Sequence, residues 1–465
     1  MERIAIHIAS VCLLLVSWAV TAGGQAPAPG APGGVPKSPD IKFEPFVVID
    51  DGVYRLENAG KGTLNGTVTN SVAKNIKITS AEGHLNTIYV TGKKSNFTVA
   101  DSTIETSGNG GDDFMGIGAA IMSDHGATTV VRNVKVVTHG TIRPAIVNTG
   151  DGVMKVYDST FHVYGGTLPA DYKPVIGGGM MEPPAPLLIH GTARAVLTMG
   201  KARTYFYNTT IIAEGWGGFS TDAAADAYAE CNQCDIQVNQ SGYGAYSDHG
   251  ARVVINDSRL NSASYGGVIA GEAQMDFNNV TGGEGAHVVM IHSVMAKTED
   301  ISHLNIKGGK LFSDYEALLI KSANADINLE GADLSSKLGT LIHARMNEDR
   351  MATKVNGAKV TGVRITLKDE RLEGNIANDD TERAMTLTFK NSTLKGAIKN
   401  AILTLDASSK WTATADSSVT LFGNVAVASI DAPAGVTITA AAGTDCALKG
   451  SYKLAGGGAL IVSAN

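Results

Sequence analysis

Polar and apolar residues alternate along this chain in short runs separated by turn residues. Phe97-Thr98-Val99, Val153-Met154-Lys155-Val156 and Val253-Val254-Ile255 carry the two-residue period of half-buried strands, and helical spacing is nearly absent. A second pattern overlies the first from Asp101 to Asn391: an Asp or Asn, one or two small or polar residues, then an apolar residue. It falls at Asp101, Asn133, Asp158, Asn208, Asp235, Asp257, Asn279 and Asn391, and the steps up to Asn279 are 32, 25, 50, 27, 22 and 22 residues, the 50 reading as two turns of 25. A period in this range marks a solenoid. Each unit predicts one coil of short strands, with Asp or Asn at its corner, because these side chains bond their own backbone and tolerate left-handed geometry. Stacked coils would align them in a polar ladder up one edge.

Such a ladder resembles the Asn ladder of the pectin-lyase-like superfamily, and the resemblance covers about residues 45 to 465. It implies an all-β fold, a single-stranded right-handed parallel β-helix. One fold hosts many chemistries, so the activity has to be argued from the site. From Ala384 onward, short strands such as Leu403-Thr404-Leu405 and Val419-Thr420-Leu421 resemble the closing coils of secreted adhesins and autotransporter passengers. No run of ten-residue alternating strands for a membrane barrel follows them.

The expected organisation is a signal peptide over 1–22, a flexible Gly/Pro/Ala leader over 23–44, and coils over 45–382 with an insertion near 164–190. Further coils and a cap take up 383–465. Arg3 followed by the apolar stretch Ile4 to Val20 and a small-residue end at Ala22 predicts export. The expected location is therefore extracellular or periplasmic, with no membrane anchorage after cleavage. The 465 residues include 54 glycines and 18% charged residues, which suits a turn-dense all-β body, and the net charge of −7 argues against a nucleic-acid partner. Cys231, Cys234 and Cys446 remain after cleavage, and Cys231-x-x-Cys234 reads as a local disulfide or two buried thiols rather than a redox or zinc site. Seven glycosylation sequons, at Asn65, Asn96, Asn208, Asn239, Asn256, Asn279 and Asn391, are mostly by-products of the repeat.

Candidate chemistry starts from a duplicated pentapeptide. Ser123-Asp124-His125-Gly126-Ala127 and Ser247-Asp248-His249-Gly250-Ala251 are identical, 124 residues or about five coils apart. An Asp can orient a His for proton transfer, although Asp and Gly also make plain turns. Aligning the small-apolar run of other coils with these brings in Asn148, Glu272, His292, Lys321, His343 and Arg345. The result is a polar strip up one face, its neighbours about 4.8 Å apart. Asp124, His125, Asp248, His249, Glu272, His292, Lys321, His343 and Arg345 are the catalytic candidates. Asn148, Trp216, Tyr243, Tyr246 and Tyr265 are candidates for substrate binding, since aromatic faces suit sugar rings. No metal ligand set or cofactor is expected, save that Gly108 to Asp113 offers hard oxygens that calcium can use.

Three functions fit. The preferred one is an exported enzyme cleaving a polysaccharide or similar polyhydroxylated substrate, by lyase or hydrolase chemistry, in a groove along the strip. The second is an adhesin or carbohydrate-binding stalk without catalysis. The third is an isomerase or cyclase using the Asp-His pairs on a small substrate under the long loop.

Overall fold

The computed structural model describes residues 41–349 and 351–464, so the expected signal peptide and nearly all of the leader lie outside the described residues. The described chain is a parallel β-helix. Its regular coils run through three faces, here the first, second and third sheets. Arg203–Tyr207 lies in the first sheet, the chain turns at Asn208, and Thr210–Ala224 bends through the second sheet into the third. Tyr228–Asn232 then stacks on Arg203–Tyr207 one coil on.

Alternation makes each face two-sided. In Arg203-Thr204-Tyr205-Phe206-Tyr207, Thr204 and Phe206 are buried inward while the residues between them are half-exposed. In the third sheet one inward column runs Val196, Phe219, Ala245, Gly267, Val289, Leu318, Ile342, and its apolar members are buried at 0–1% exposure. The inward columns of all three faces merge into one continuous apolar core from Phe46 to Val462, so the array grows by stacking without splitting into domains. Parallel pairing also continues across residue 382, where Val363–Lys368 pairs with Met385–Lys390.

The ladder is present. Asp101, Asn133, Asp158, Asn208, Asp257, Asn279 and Asn391 all take φ of 47–52°, a left-handed geometry that only Gly, Asn and Asp adopt cheaply. Within it, Asn donates to the Asp of the adjoining coil: Asn133 to Asp101 (2.9 Å), Asn208 to Asp158 (2.8 Å), Asn279 to Asp257 (2.8 Å) and Asn391 to Asp369 (2.6 Å). The next position forms a second, internal ladder. The hydroxyls of Ser102, Ser159 and Ser258 accept the backbone N–H of Ile76, Val134 and Cys234 in the preceding coil.

Three expectations are corrected. Asp235 is no corner; Gln233 holds that place at φ 55° and Asp235 opens the next strand. Gly308 and Gly331 turn the corners where the Asx pattern lapses. The step from Asp158 to Asn208 is one coil, since Val153–Tyr157 pairs directly with Arg203–Tyr207, and the surplus residues form the insertion between Val163 and Arg194.

Antiparallel strands flank both ends of the coil. Val53–Leu56 pairs with the first strand, Glu44–Asp50, and Gly450–Lys453 with the last, Ala459–Ala464, which protects edges that would otherwise pair with another chain. Cys231 and Cys234 are free, buried thiols in the core. Burial and the neighbouring Cys234 push the Cys231 thiol well above its ordinary range, so it is inert structure. Among the described residues no helix is long and apolar enough to cross a membrane.

Candidate functional site

The outer face of the third sheet carries the polar strip, with loops along both edges. Where the chain passes from the second sheet to the third, the segment 107–120 and the insertion 164–193 lie over the face, joined by Gly179 N–H donating to Asp112 (2.9 Å). Where it passes from the third sheet to the first, segments 293–300 and 346–362 meet through the Val294–Ala352 bridge and the Thr353 hydroxyl bonded to Ser293 O (2.8 Å).

Strand register corrects the alignment of the strip. Tyr246 is followed along its outward column by Val268, Met290, Leu319 and His343. The column of Asp248 continues through Ala270, His292, Lys321 and Arg345. Glu272 is therefore two residues beyond the strip, exposed at the corner. The two pentapeptides are four coils apart, Ser123 stacking through Asn148, Thr198 and Thr221 to Ser247, or about 19 Å at the usual strand spacing. They cannot meet one small substrate. Nor is the strip an open groove. Val268, Met290 and Leu319 are 0, 1 and 2% exposed beneath Met180, Leu187 and Ile189 of the insertion. The face is thus divided into two separate polar clusters.

The lower cluster is built on Asp248. Its neighbour one coil down in the same column is Asp222. Arg194, fully buried, reaches across from the adjacent strand: Nη1 bonds Asp222 (2.5 Å), while Nε and Nη2 bond Asp113 (2.9 and 2.7 Å). Trp216 and Phe114 cover the guanidinium at 5.0 and 5.2 Å. Burial, then the Asp222 carboxylate, push Asp248 well above the ordinary carboxylate range, against the opposing pull of the His249 N–H and Arg194. A second carboxylate so near disfavours the charged form of Asp248. Arg194 takes Asp222 as its ion-pair partner. His249 stands beside them, 3.9 Å from Asp248 and 3.7 Å from Asp300. Burial lowers its pKa, opposed by Asp300 and Asp222. Its ring lies against Gly271, where a Cβ would come within 1.9 Å of the imidazole. Tyr246, stacked on Tyr243 at 5.0 Å, is the one predicted aromatic that keeps partial exposure.

The upper cluster holds Lys321, His343 and Arg345 on one face, with Glu316 beside His343. His343 bonds Glu316 through Nδ1 (3.1 Å) and Asp379 through Nε2 (2.9 Å). His287 donates Nδ1–H to Glu316 O (2.8 Å) and stacks on Tyr265 at 5.5 Å. Burial alone would raise Glu316, but the hydrogen bond from His343 and the nearby imidazoles more than offset it, and its pKa is lowered. Lys321 lies directly below Arg345 in one column, and burial followed by Arg345 lowers its pKa. Among the described residues neither Lys321 nor Arg345 makes an ion pair, whereas His343 pairs with Glu316.

Other predicted residues do structural work. Asn148 is fully buried and donates to Gly152 O, Arg203 O and Thr204 Oγ1. Trp216, Tyr243 and Tyr265 are buried under the insertion, Tyr265 donating to Leu187 O (3.0 Å), and offer no ring face to a ligand. His292 stands in the outward column yet is buried, at 5% exposure. Asp124 and His125 form an isolated turn: His125 sits at φ 48°, 72% exposed, with Nδ1 2.8 Å from its own neighbour's carboxylate. At the proposed calcium loop, Asp112 accepts N–H groups of Phe114 and Gly179, and Asp113 is taken by Arg194. Among the described residues no group of three or more His, Cys, Asp or Glu side chains converges as a metal site would require.

Asp222 was legible in principle, because Ser220-Thr221-Asp222 repeats Tyr246-Ser247-Asp248 one coil down. Counting the 50-residue step as two coils hid it. Arg194, Asp113 and Glu316 gave no such signal, lying outside the repeated position. No protein-family model matches this sequence, and none of the curated proteins matches it. The class defined is that of a parallel β-helix bearing two polar clusters on one face.

Proposed function

We propose that this chain is an exported carbohydrate-active enzyme that hydrolyses a polyhydroxylated substrate at the Asp222–Asp248 pair. The observation that carries this reading is a pair of carboxyl groups in unlike settings: Asp222 is ion-paired with a buried arginine, and Asp248 beside it is pushed upward by burial. Acid and base are then set side by side by environment. Asp222 takes a proton from an attacking water while Asp248 gives its proton to the leaving oxygen, and Tyr246 supplies the apolar ledge for a ring. The two carboxyl groups sit in adjacent coils, whose spacing of about 4.8 Å falls at the short end of the roughly 5 to 10 Å that separates glycosidase carboxylates. The closed floor beyond Val268 favours a chain end or a short oligomer over a long polymer lying along the face. The similarity of the ladder to the pectin-lyase-like superfamily agrees with a glycan substrate.

A second reading has its own support. Lys321 and Arg345 are adjacent cations that have no ion-pair partner among the described residues, near the Glu316–His343 pair, an arrangement that suits neutralising a uronate and drawing off its neighbouring proton. Incubating the mature chain with uronic and neutral glycans decides between them. Reducing ends without ultraviolet absorbance, abolished by roughly 10²–10⁴-fold in Asp248→Asn, support hydrolysis at the pair. New double bonds lost in Arg345→Ala support elimination, and binding without products supports an adhesin.

A further inference from the structure

A groove of about 480 Å³ runs along the corner between the first and second sheets, away from both polar clusters. One wall is the corner ladder from Asn208 through Gln233 and Asp257 to Asn279, four coils or about 14 Å at the usual strand spacing. The facing wall is the opening column of the second sheet, in which Asp235 and Arg259 are neighbours one coil apart.

The ladder breaks in the middle of this groove. From Asn75 to Asn391 every corner of this column is Asn, Asp or Gly except Gln233, which takes φ 55°. Left-handed backbone is costly for Gln, whose longer side chain lacks the local hydrogen bonds that Asn and Asp form there. The ladder returns nothing for that cost. Its bonds on either side run from Asn208 to Asp158 and from Asn279 to Asp257, and the exposed Gln233 amide joins neither. A residue that breaks a local rule without a structural gain marks a functional position.

The facing wall is likewise uncommitted. Asp235 and Arg259 stand at adjacent rungs, yet among the described residues neither makes an ion pair. Asp235 accepts Gln237 Nε2–H through Oδ2 (2.7 Å), and its Oδ1 has no donor. Amide, guanidinium and carboxylate groups thus share a groove whose lining holds no aromatic or branched aliphatic side chain. An apolar ligand finds no surface there, an anion meets Asp235 and Asp257, and a cation meets Arg259. Hydroxyl groups both donate and accept, so adjacent hydroxyls suit all of these partners. We infer that the groove holds a neutral linear glycan, whose rings repeat at close to the coil spacing. Gln233 and Arg259 donate to its hydroxyls, and Asp235 and Asp257 accept from them. The site lies on a different side of the coil from the proposed hydrolysis and does not depend on it.

The test is calorimetric titration of the mature chain carrying Asp248→Asn, which disables the proposed hydrolysis and leaves the groove untouched. The probes are cellotetraose, xylotetraose, mannotetraose, galactotetraose and tetragalacturonate. At least one neutral tetrasaccharide should bind, and adding Arg259→Ala should weaken it roughly tenfold by removing a charged donor. Gln233→Asn should also weaken binding about tenfold while raising the melting temperature, because it restores the residue that the left-handed corner favours. That pairing of gain and loss separates a binding role from a structural one. Binding unchanged in both variants overturns the inference, as does the absence of binding by every neutral probe or a preference for tetragalacturonate.

Discussion

Replacing Glu370 by Gln should remove one loss of stability that develops between about pH 4.5 and pH 7. Glu370 follows the left-handed corner residue Asp369 and occupies the internal ladder position that the next coil fills with Ser392. Its Oε1 accepts Ala332 N–H (2.9 Å), as Ser102 and Ser258 do in their own coils, while Oε2 is buried without a partner. Burial, only partly offset by the N–H groups of Ala332 and Gly331, raises its pKa from 4.5 to about 7. A group whose proton affinity rises on folding contributes stability that is complete below its unfolded pKa and lost as pH climbs through the folded one. At about 1.36 kcal/mol per tenfold change in affinity, the rise corresponds to a loss of about 3 kcal/mol, fully developed above pH 7. Gln keeps the acceptor and cannot ionise. The amide nitrogen it places at the Oε2 position adds a penalty that does not depend on pH, so the slope is informative and the offset is not. Denaturant unfolding of wild type and Glu370→Gln across pH 4 to 9, followed by circular dichroism, should give curves that diverge by about this amount over the window. Parallel curves would refute the placement of a protonated carboxylic acid in the ladder.

Further outcomes follow from the same geometry. Asp158→Leu puts a γ-branched side chain at φ 50° and removes the acceptor of Asn208, so the array should lose about 2 kcal/mol, read as a lower denaturation midpoint; Asp158→Asn should lose less. His125→Gln should leave stability and activity unchanged, being an exposed turn residue, whereas His249→Gln, packed against Gly271 beside Asp248, should alter turnover or binding. Equal behaviour of the two variants in every assay would remove His249 from the site. Turnover by the Asp222–Asp248 pair should fall as pH rises far enough to strip the proton from Asp248, whose pKa is raised; a rate that keeps increasing with pH contradicts the acid role. Arg345→Ala should weaken binding of anionic oligosaccharides roughly tenfold, measured calorimetrically, with an unchanged melting temperature; unchanged affinity would make the cation pair surface charge alone.

The chain's own pattern determined the architecture. Alternation of period two has one stable use when it recurs every 22 to 32 residues with a left-handed Asx between runs, and that use is a coil closed on an apolar interior. It also determined which face bears charge, because side-chain direction in a strand follows parity. Lys321 and Arg345 accordingly share a column as their spacing implied. What a linear pattern does not hold is register across an insertion. The residues 164–193 hid one coil boundary, so Asp222 was passed over and the pentapeptides were set five coils apart when they are four. Loop placement was equally beyond reach. The insertion covers Val268, Met290 and Leu319 and buries Tyr243 and Tyr265, turning an apparent groove into two clusters. Arg194 meets Asp113 across 81 residues of sequence, and such a contact exists only once the stacking is complete. The physical reason is the same in each case: strand parity is local and written in the sequence, whereas the energy that fixes a buried charge comes from partners brought together by the fold.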